Sequence, residues 1–204
     1  MTEHAEDRQI EILTGAYLVL DVPEEKVVEL DLGCGSGSFT AALAQKYPER
    51  QIFAADVMIG RLRKLVKRCN RTGICNMRLL RVEARMLVGR MFPDRALDRI
   101  HLLCPDPWPK GRHRGHRLLA SDFTSQLHRV LKENGVFHFS SDDRAYCEAV
   151  AATMAASGIF QQVPGDAELA DVKSDFELRW LEEGKTVEHQ WWKKMPLPPA
   201  GPGH

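Results

Sequence analysis

Net charge is the first thing this sequence lacks: 28 Lys and Arg balance 28 Asp and Glu over 204 residues. That balance excludes a whole-surface pull toward nucleic acid, so any such surface has to come from local clustering. No apolar run approaches the roughly 20 residues that a membrane-spanning helix needs. The five cysteines, Cys34, Cys69, Cys75, Cys104 and Cys147, are dispersed, and no C-x-x-C pair occurs. Neither a zinc site nor a disulfide framework is expected. The histidines show no ligand spacing, so no metal is expected. The opening residues, MTEHAEDRQ, are acidic and polar, unlike a secretory signal. The expected compartment is therefore the cytoplasm, with no membrane partner.

What is present is a chain of ordinary apolar content, long enough for one domain with a full core. Residues 1–195 are read as that domain, with 1–26 as an N-terminal extension and 196–204 as a disordered tail. The apolar positions of the extension fit either a short helix or an irregular strand.

The stretch Val27 to Phe39, VVELDLGCGSGSF, organises the rest. A short apolar strand ends at Leu32, Gly33, Gly35 and Gly37 follow, and a helical pattern begins near Ser38. Strand, glycine turn and helix open a doubly wound α/β domain. Glycines let the backbone turn tightly and approach a ligand closely. Their G-x-G-x-G spacing departs from the dinucleotide fingerprint G-x-G-x-x-G. Asp31, just before the turn, would repel a pyrophosphate and attract amino or hydroxyl groups. A ligand with positive charge and no phosphate suits such a site, and S-adenosylmethionine is one. A glycine-rich turn without a ligand is the plainer alternative.

Strands and helices then alternate. Strands are expected over 27–32, 51–55, 77–82, 97–104 and 136–141, with helices over 38–46, 60–70, 84–90, 118–131 and 145–156. A sixth strand begins near Phe160, 164–175 is a polar loop, and a last strand lies near 187–193. This period predicts a Rossmann-like, mostly parallel sheet with an antiparallel edge strand near the C-terminus. Ligands of such sheets bind outside the carboxyl ends of the strands. An acid stands at or just past each of five strand ends: Asp31, Asp56, Glu83, Asp106 and Asp142. Each alone also fits a helix N-cap. Asp56 stands about where an acid takes ribose hydroxyls, and Glu83 near an adenine edge. Val57 and Met58 fit packing on the base, and Met58 fits the core equally well.

Residues 105–117 break the rhythm. Pro105, Pro107 and Pro109 stiffen the segment and fix Asp106 directly after a central strand. Lys110, Arg112, Arg114 and Arg117 cluster there with His113 and His116. A cationic patch beside a fixed acid suits a phosphate backbone whose base enters a pocket.

The segment PDPWPKGRHRGHR resembles the PDPWPKxRHxKRR signature of bacterial tRNA (guanine-N7)-methyltransferases. The resemblance extends from about Val27 to Trp192. It implies a class I methyltransferase sheet, S-adenosylmethionine as cofactor, tRNA as partner and methyl transfer to guanine N7. It places Asp31, Gly33, Gly35 and Gly37 in the first cofactor motif. Asp56 falls on the ribose acid, and Glu83 with Ala84 on the pair near adenine. Asp106 falls on the acid of the catalytic pocket, where it also meets the cofactor. Lys110 falls on a substrate-contacting lysine, and Arg112 belongs to the same substrate patch. Asp142, in Ser141-Asp142, falls on an acid that contacts substrate and joins Asp106 as a catalytic candidate. Ser174 and Glu177 fall in a late motif that closes the guanine pocket. Gly115 and His116 stand where the family has bases, and Asp175 where it often has lysine. A small-molecule methyltransferase of the same fold and a non-catalytic RNA-binding relative remain as alternatives. Either a monomer or a homodimer fits.

Overall fold

The computed structural model describes residues 9–13, 18–105, 119 and 121–197. A parallel sheet covered on both faces buries its central strands on both sides. Every residue of β2 (Val28–Leu32) is buried, and so is all of β3 (Gln51–Asp56) beyond its first residue. Around them lie β1 (Ile10–Ile12), β4 (Met77–Arg81), β5 (Leu97–Leu103), β6 (Leu131–Ser141), β7 (Phe160–Val163) and β8 (Glu188–Lys194). The sheet order is β1-β4-β3-β2-β5-β6-β8-β7. All pairings are parallel except those of β8, which runs antiparallel to both β6 and β7. The antiparallel strand near the C-terminus thus lies one in from the edge.

Helices follow the strands: α1 (Ser38–Lys46), α2 (Ile59–Thr72), α3 (Ala84–Met86, continued by a π-helical turn to Met91), α4 (Ser121–Val130), α5 (Arg144–Ala156) and α6 (Asp175–Glu182). Among the described residues no helix is long and apolar enough to cross a membrane. α2 shows how one sequence makes two surfaces. Leu62, Leu65, Val66 and Cys69 are buried, while Arg61, Lys64, Lys67 and Arg71 are exposed.

In the N-terminal extension the strand alternative holds: residues 10–12 form a short strand on β4, with Ile10 opposite Leu79. Two segments differ from the sequence expectation. The helix expected to run to 131 ends at Val130, because Leu131 already pairs with Leu97; the ladder then slips, and Arg99 pairs with Val136. α6 rises where no helix was read. Ser174 caps it by accepting the Glu177 N–H at 3.1 Å, a Ser-x-x-Glu start of the usual kind.

The chain reverses its spread at β2: β3 and β4 lie on one side, β5 and β6 on the other. That switch point opens a crevice at the carboxyl ends of β2 and β5. Register puts Asp31 opposite His101, His101 opposite His138 and His138 opposite Trp191, so these side chains share one face of the sheet.

Gly37 starts α1 with a left-handed φ of 73°. A Cβ there would stand 2.5 Å from both terminal methyls of Leu65 on α2. Backbone strain and overpacking together make Gly37→Ala destabilising by about 2–4 kcal/mol in urea unfolding. A Leu65→Ala background removes the clash, so a double-mutant cycle should show a smaller cost of Gly37→Ala there.

Candidate active site at the carboxyl edge of the sheet

A cavity of about 360 Å³ occupies the crevice. Its floor is the β2–α1 turn. The Gly33 and Cys34 N–H groups both donate to the Ala55 carbonyl, at 2.8 and 2.9 Å, fixing the turn to β3. Gly33 and Gly35 have φ of 81° and 58°, and nothing lies within 4 Å of where their Cβ atoms would be. Among the described residues, the space over the turn is open. A larger recess, about 1150 Å³, lies among Arg95, Glu133 and Lys194. It sits by the amino ends of β5 and β6, the wrong edge for a ligand of this sheet.

Asp31 lines the cavity at 2% exposure. Thr40 Oγ1 donates to its Oδ2. Among the described residues no Lys or Arg pairs with it. Burial therefore pushes its carboxyl up to about 6, although Thr40 and the nearby His101 pull the other way. Two residues earlier on the same face, Glu29 has 0% exposure and the opposite fate. His101 at 2.9 Å, Arg99 at 3.2 Å and Arg50 at 2.6 Å surround it. Burial pushes Glu29 up as well, but these partners outweigh it and hold the carboxyl at about 2. Asp31 is thus a buried acid facing a cavity with no Lys or Arg partner among the described residues. An amino group on a ligand is the complement.

Asp56 also lines the cavity, and it works structurally too. Its Oδ2 accepts from the Gly35 N–H at 3.1 Å and from Arg61 at 3.3 Å, and its Oδ1 from the Met58 N–H at 2.7 Å. It therefore ties β3 to the glycine turn and to the start of α2. Glu83 caps α3, accepting from the Arg85 and Met86 N–H groups at 3.0 and 2.9 Å. Glu83 and Ala84 both border the cavity. Val57 borders it as well, and Met58 is exposed, not core. Gly37 serves the packing of α1 on α2 instead of the cavity wall.

The open side is bounded by α6. Ser174 and Phe176 line the cavity, and Phe176 is exposed. The Asp175 N–H donates to Ser38 Oγ at 2.8 Å, and Ser36 Oγ donates to Asp175 Oδ2 at 3.5 Å. Asp175, noted in the sequence only as a departure, fastens α6 to the glycine turn. Glu177 is 5% exposed behind Ser174 and pairs with Lys173 at 2.7 Å and His189 at 3.3 Å. Burial raises its carboxyl, but His189 and Lys173 more than offset this and hold it below the usual range. Neither Lys173 nor His189 was singled out from sequence; only a pairing across the fold makes them partners.

Cys104 and Pro105 border the same cavity and lead out of β5. Asp142, exposed at the end of β6, lies near Cys104: its charge and that of Glu177 both act on that thiol. Asp31, Asp142 and Glu177 thus share one edge. Burial is the larger effect on Cys104, and its thiol is pushed up to about 11. Burial likewise raises the Cys34 thiol well above its ordinary value. Neither is a nucleophile near neutral pH. Asp106, Lys110 and Arg112 lie outside the described residues.

A family model described as "Putative methyltransferase" matches residues 25–190. A tRNA (guanine-N(7)-)-methyltransferase of Edwardsiella ictaluri is 33% identical over 191 residues, which cover 86% of this chain and 76% of that protein. One from Syntrophotalea carbinolica is 32% identical, covering 82% and 74%. One from Thermotoga maritima is also 32% identical and covers 78% of this chain, which spans only 51% of that relative. Among solved structures, the 16S rRNA methyltransferase KamB superposes with a TM-score of 0.61 at 16% identity, covering 88% of this chain and 99% of that one. A 16S rRNA (adenine(1408)-N(1))-methyltransferase from Catenulisporales acidiphilia, solved with its cosubstrate, gives 0.56 at 20% identity, covering 85% and 88%. Those two structures share the fold. The family model's match spans the glycine turn and α6, and with the relatives' identity and coverage it shows that the chain belongs to the tRNA (guanine-N(7)-)-methyltransferase family.

Proposed function

We propose that this protein transfers a methyl group from S-adenosylmethionine to N7 of a guanine in tRNA, giving 7-methylguanosine. The observation that carries this reading is the buried Asp31, which pairs with no Lys or Arg among the described residues, beside the glycine turn. When bound, S-adenosylmethionine supplies a methyl on a positively charged sulfur. Asp31 takes the ligand's ammonium, Gly33 and Gly35 allow close approach of the backbone, and Asp56 takes ribose hydroxyls on its remaining lone pairs. Glu83 and Ala84 border the adenine.

Guanine N7 has a lone pair and no proton, so no base is needed to create the nucleophile. The residues of this chain therefore align and stabilise. Ser174 and Glu177 hold the guanine edge, and their placement on α6 brings that edge to the cavity mouth. The product guanine is cationic. Asp142, with Asp106, stabilises that charge as it develops. Lys110 and Arg112 meet phosphates, joined by the cations of α2: Arg61, Arg63, Lys64, Lys67, Arg68 and Arg71 stand on a helix without a single acid. That local cluster answers the zero net charge. Residues 1–195 act as one catalytic unit, working on tRNA in the cytoplasm.

Unmodified tRNA incubated with the protein and labelled cofactor should yield labelled 7-methylguanosine on digestion; cofactor-binding protein that yields none would overturn the reading. Asp31→Asn should weaken cofactor binding by at least about tenfold in calorimetry. It should also raise the melting temperature of the free protein near neutral pH. The sign comes from the raised carboxyl: its stability contribution is present below about 4 and lost as pH rises through about 6. For the same reason, cofactor affinity of the unaltered protein should fall as pH drops through about 6. Finally, Glu177→Gln should lower kcat/KM for tRNA by about 10–100-fold while cofactor affinity changes less than about twofold.

A further inference from the structure

A line of polar side chains, buried except at His189, crosses the sheet below the cavity, and the methyl-transfer reading uses only its outer end. Its members come from four strands and one helix: Glu29 on β2, His101 on β5, His138 on β6, His189 on β8 and Glu177 on α6. His101 Nε2 lies 2.9 Å from Glu29 Oε2, and His101 Nδ1 lies 3.1 Å from His138 Nδ1. His138 Nε2 lies 2.9 Å from His189 Nδ1, and His189 Nε2 lies 3.3 Å from Glu177 Oε1. The inner rings are sealed, whereas the His189 side chain is 31% exposed. Trp191 stacks on His138 with centroids 3.7 Å apart, and Phe39 packs edge-on against His101 at 5.0 Å. The rings are held in place.

The proton count of this chain is independent of which tautomer each ring adopts. Four gaps need four hydrogens. Three neutral imidazoles carry three. Despite burial, partners hold both terminal carboxylates below their usual range, so the carboxylates bring none. Every contact is made only if the chain holds one proton beyond three neutral rings. We propose that the Glu29–His101–His138–His189–Glu177 chain carries that one extra proton, and that His189 is the positioning residue fixing the Glu177 carboxylate for guanine. The second half rests on the role given to Glu177 above; the first half does not.

The extra charge belongs to an end ring. Burial, then the neighbouring His101 and His189, pushes His138 well below the ordinary histidine range. The two arrangements interconvert with atoms in balance. The His101 Nδ1 proton passes to His138 Nδ1 while the His138 Nε2 proton passes to His189 Nδ1, and each gap keeps one hydrogen. Charge then moves from the cavity floor, where His101 acts on Asp31, to the rim, where His189 meets Glu177. Other charged groups among the described residues also face this line. Arg50 and Arg99 bracket Glu29, Glu168 pairs with both arginines and Asp166 with Arg99. Lys173 faces Glu177 from the turn before α6. Rising pH removes the extra proton and leaves three hydrogens for four gaps. The Glu177 gap, nearest to solvent, is the one that opens, so KM for tRNA rises on the alkaline side.

Ring-nitrogen NMR on the full chain labelled with 15N-histidine, without substrate, tests the proton count. At about pH 7 these three rings should hold one imidazolium among them, with His138 neutral; three neutral rings would overturn the proposal. In methylation assays His189→Leu should raise KM for tRNA about tenfold, with kcat and cofactor affinity changed less than about twofold. His189→Gln keeps an N–H toward Glu177 but cannot titrate. It should recover most of KM and flatten the alkaline rise; an unchanged alkaline rise in this variant would also overturn the relay. A protein that shows the imidazolium yet never methylates tRNA would refute the enzymatic reading alone.

Discussion

Two carboxylates two residues apart on one buried strand divide the work of this molecule. Taking a carboxylate out of water costs several kcal/mol unless partners compensate. Glu29 receives two guanidiniums and an imidazole, and its carboxyl falls to about 2. Asp31 receives a hydroxyl, and its carboxyl climbs to about 6. The first pins β5 and the turn before β3 onto β2. The second is left short at the one point where the strand meets a cavity. Among the described residues the scaffold gives Glu29 charged partners and Asp31, at the cavity, a hydroxyl. That asymmetry, more than the glycines, sets the crevice apart.

The places of Asp31, Asp56, Glu83 and Asp142 were legible because chain order alone sets them: in a parallel α/β sheet each carboxyl end reaches the same edge. Their individual chemistry was less legible. Asp56 and Glu83 border the cavity as read, yet their oxygens also bind backbone N–H groups of the elements that follow. The two readings of such an acid, cap and ligand contact, are compatible, because each carboxylate oxygen has two lone pairs. The helix α6 had a local signature in Ser174-x-x-Glu177 that the polar composition around it obscured.

The histidine line was not legible at all, and the reason is physical. His101, His138 and His189 are far apart in sequence and show no ligand spacing; only strand register makes them neighbours. A hint did exist. Glu29 sits inside VVELDL, a strand otherwise apolar up to Asp31, and a charge there requires a partner from elsewhere. Reading such a residue as a demand for distant cations would have pointed to Arg50, Arg99 and a histidine.

The position of β8 has a consequence for synthesis. β7 pairs with β8, and so does the outer side of β6. As the chain emerges from the ribosome, both wait with open edges until the strand that separates them arrives. The nascent protein therefore exposes unpaired borders, one of them apolar at Phe137 and Phe139, between the synthesis of β6 and that of β8. Chaperone demand should be concentrated in that interval, before Trp191 and Trp192 close the gap.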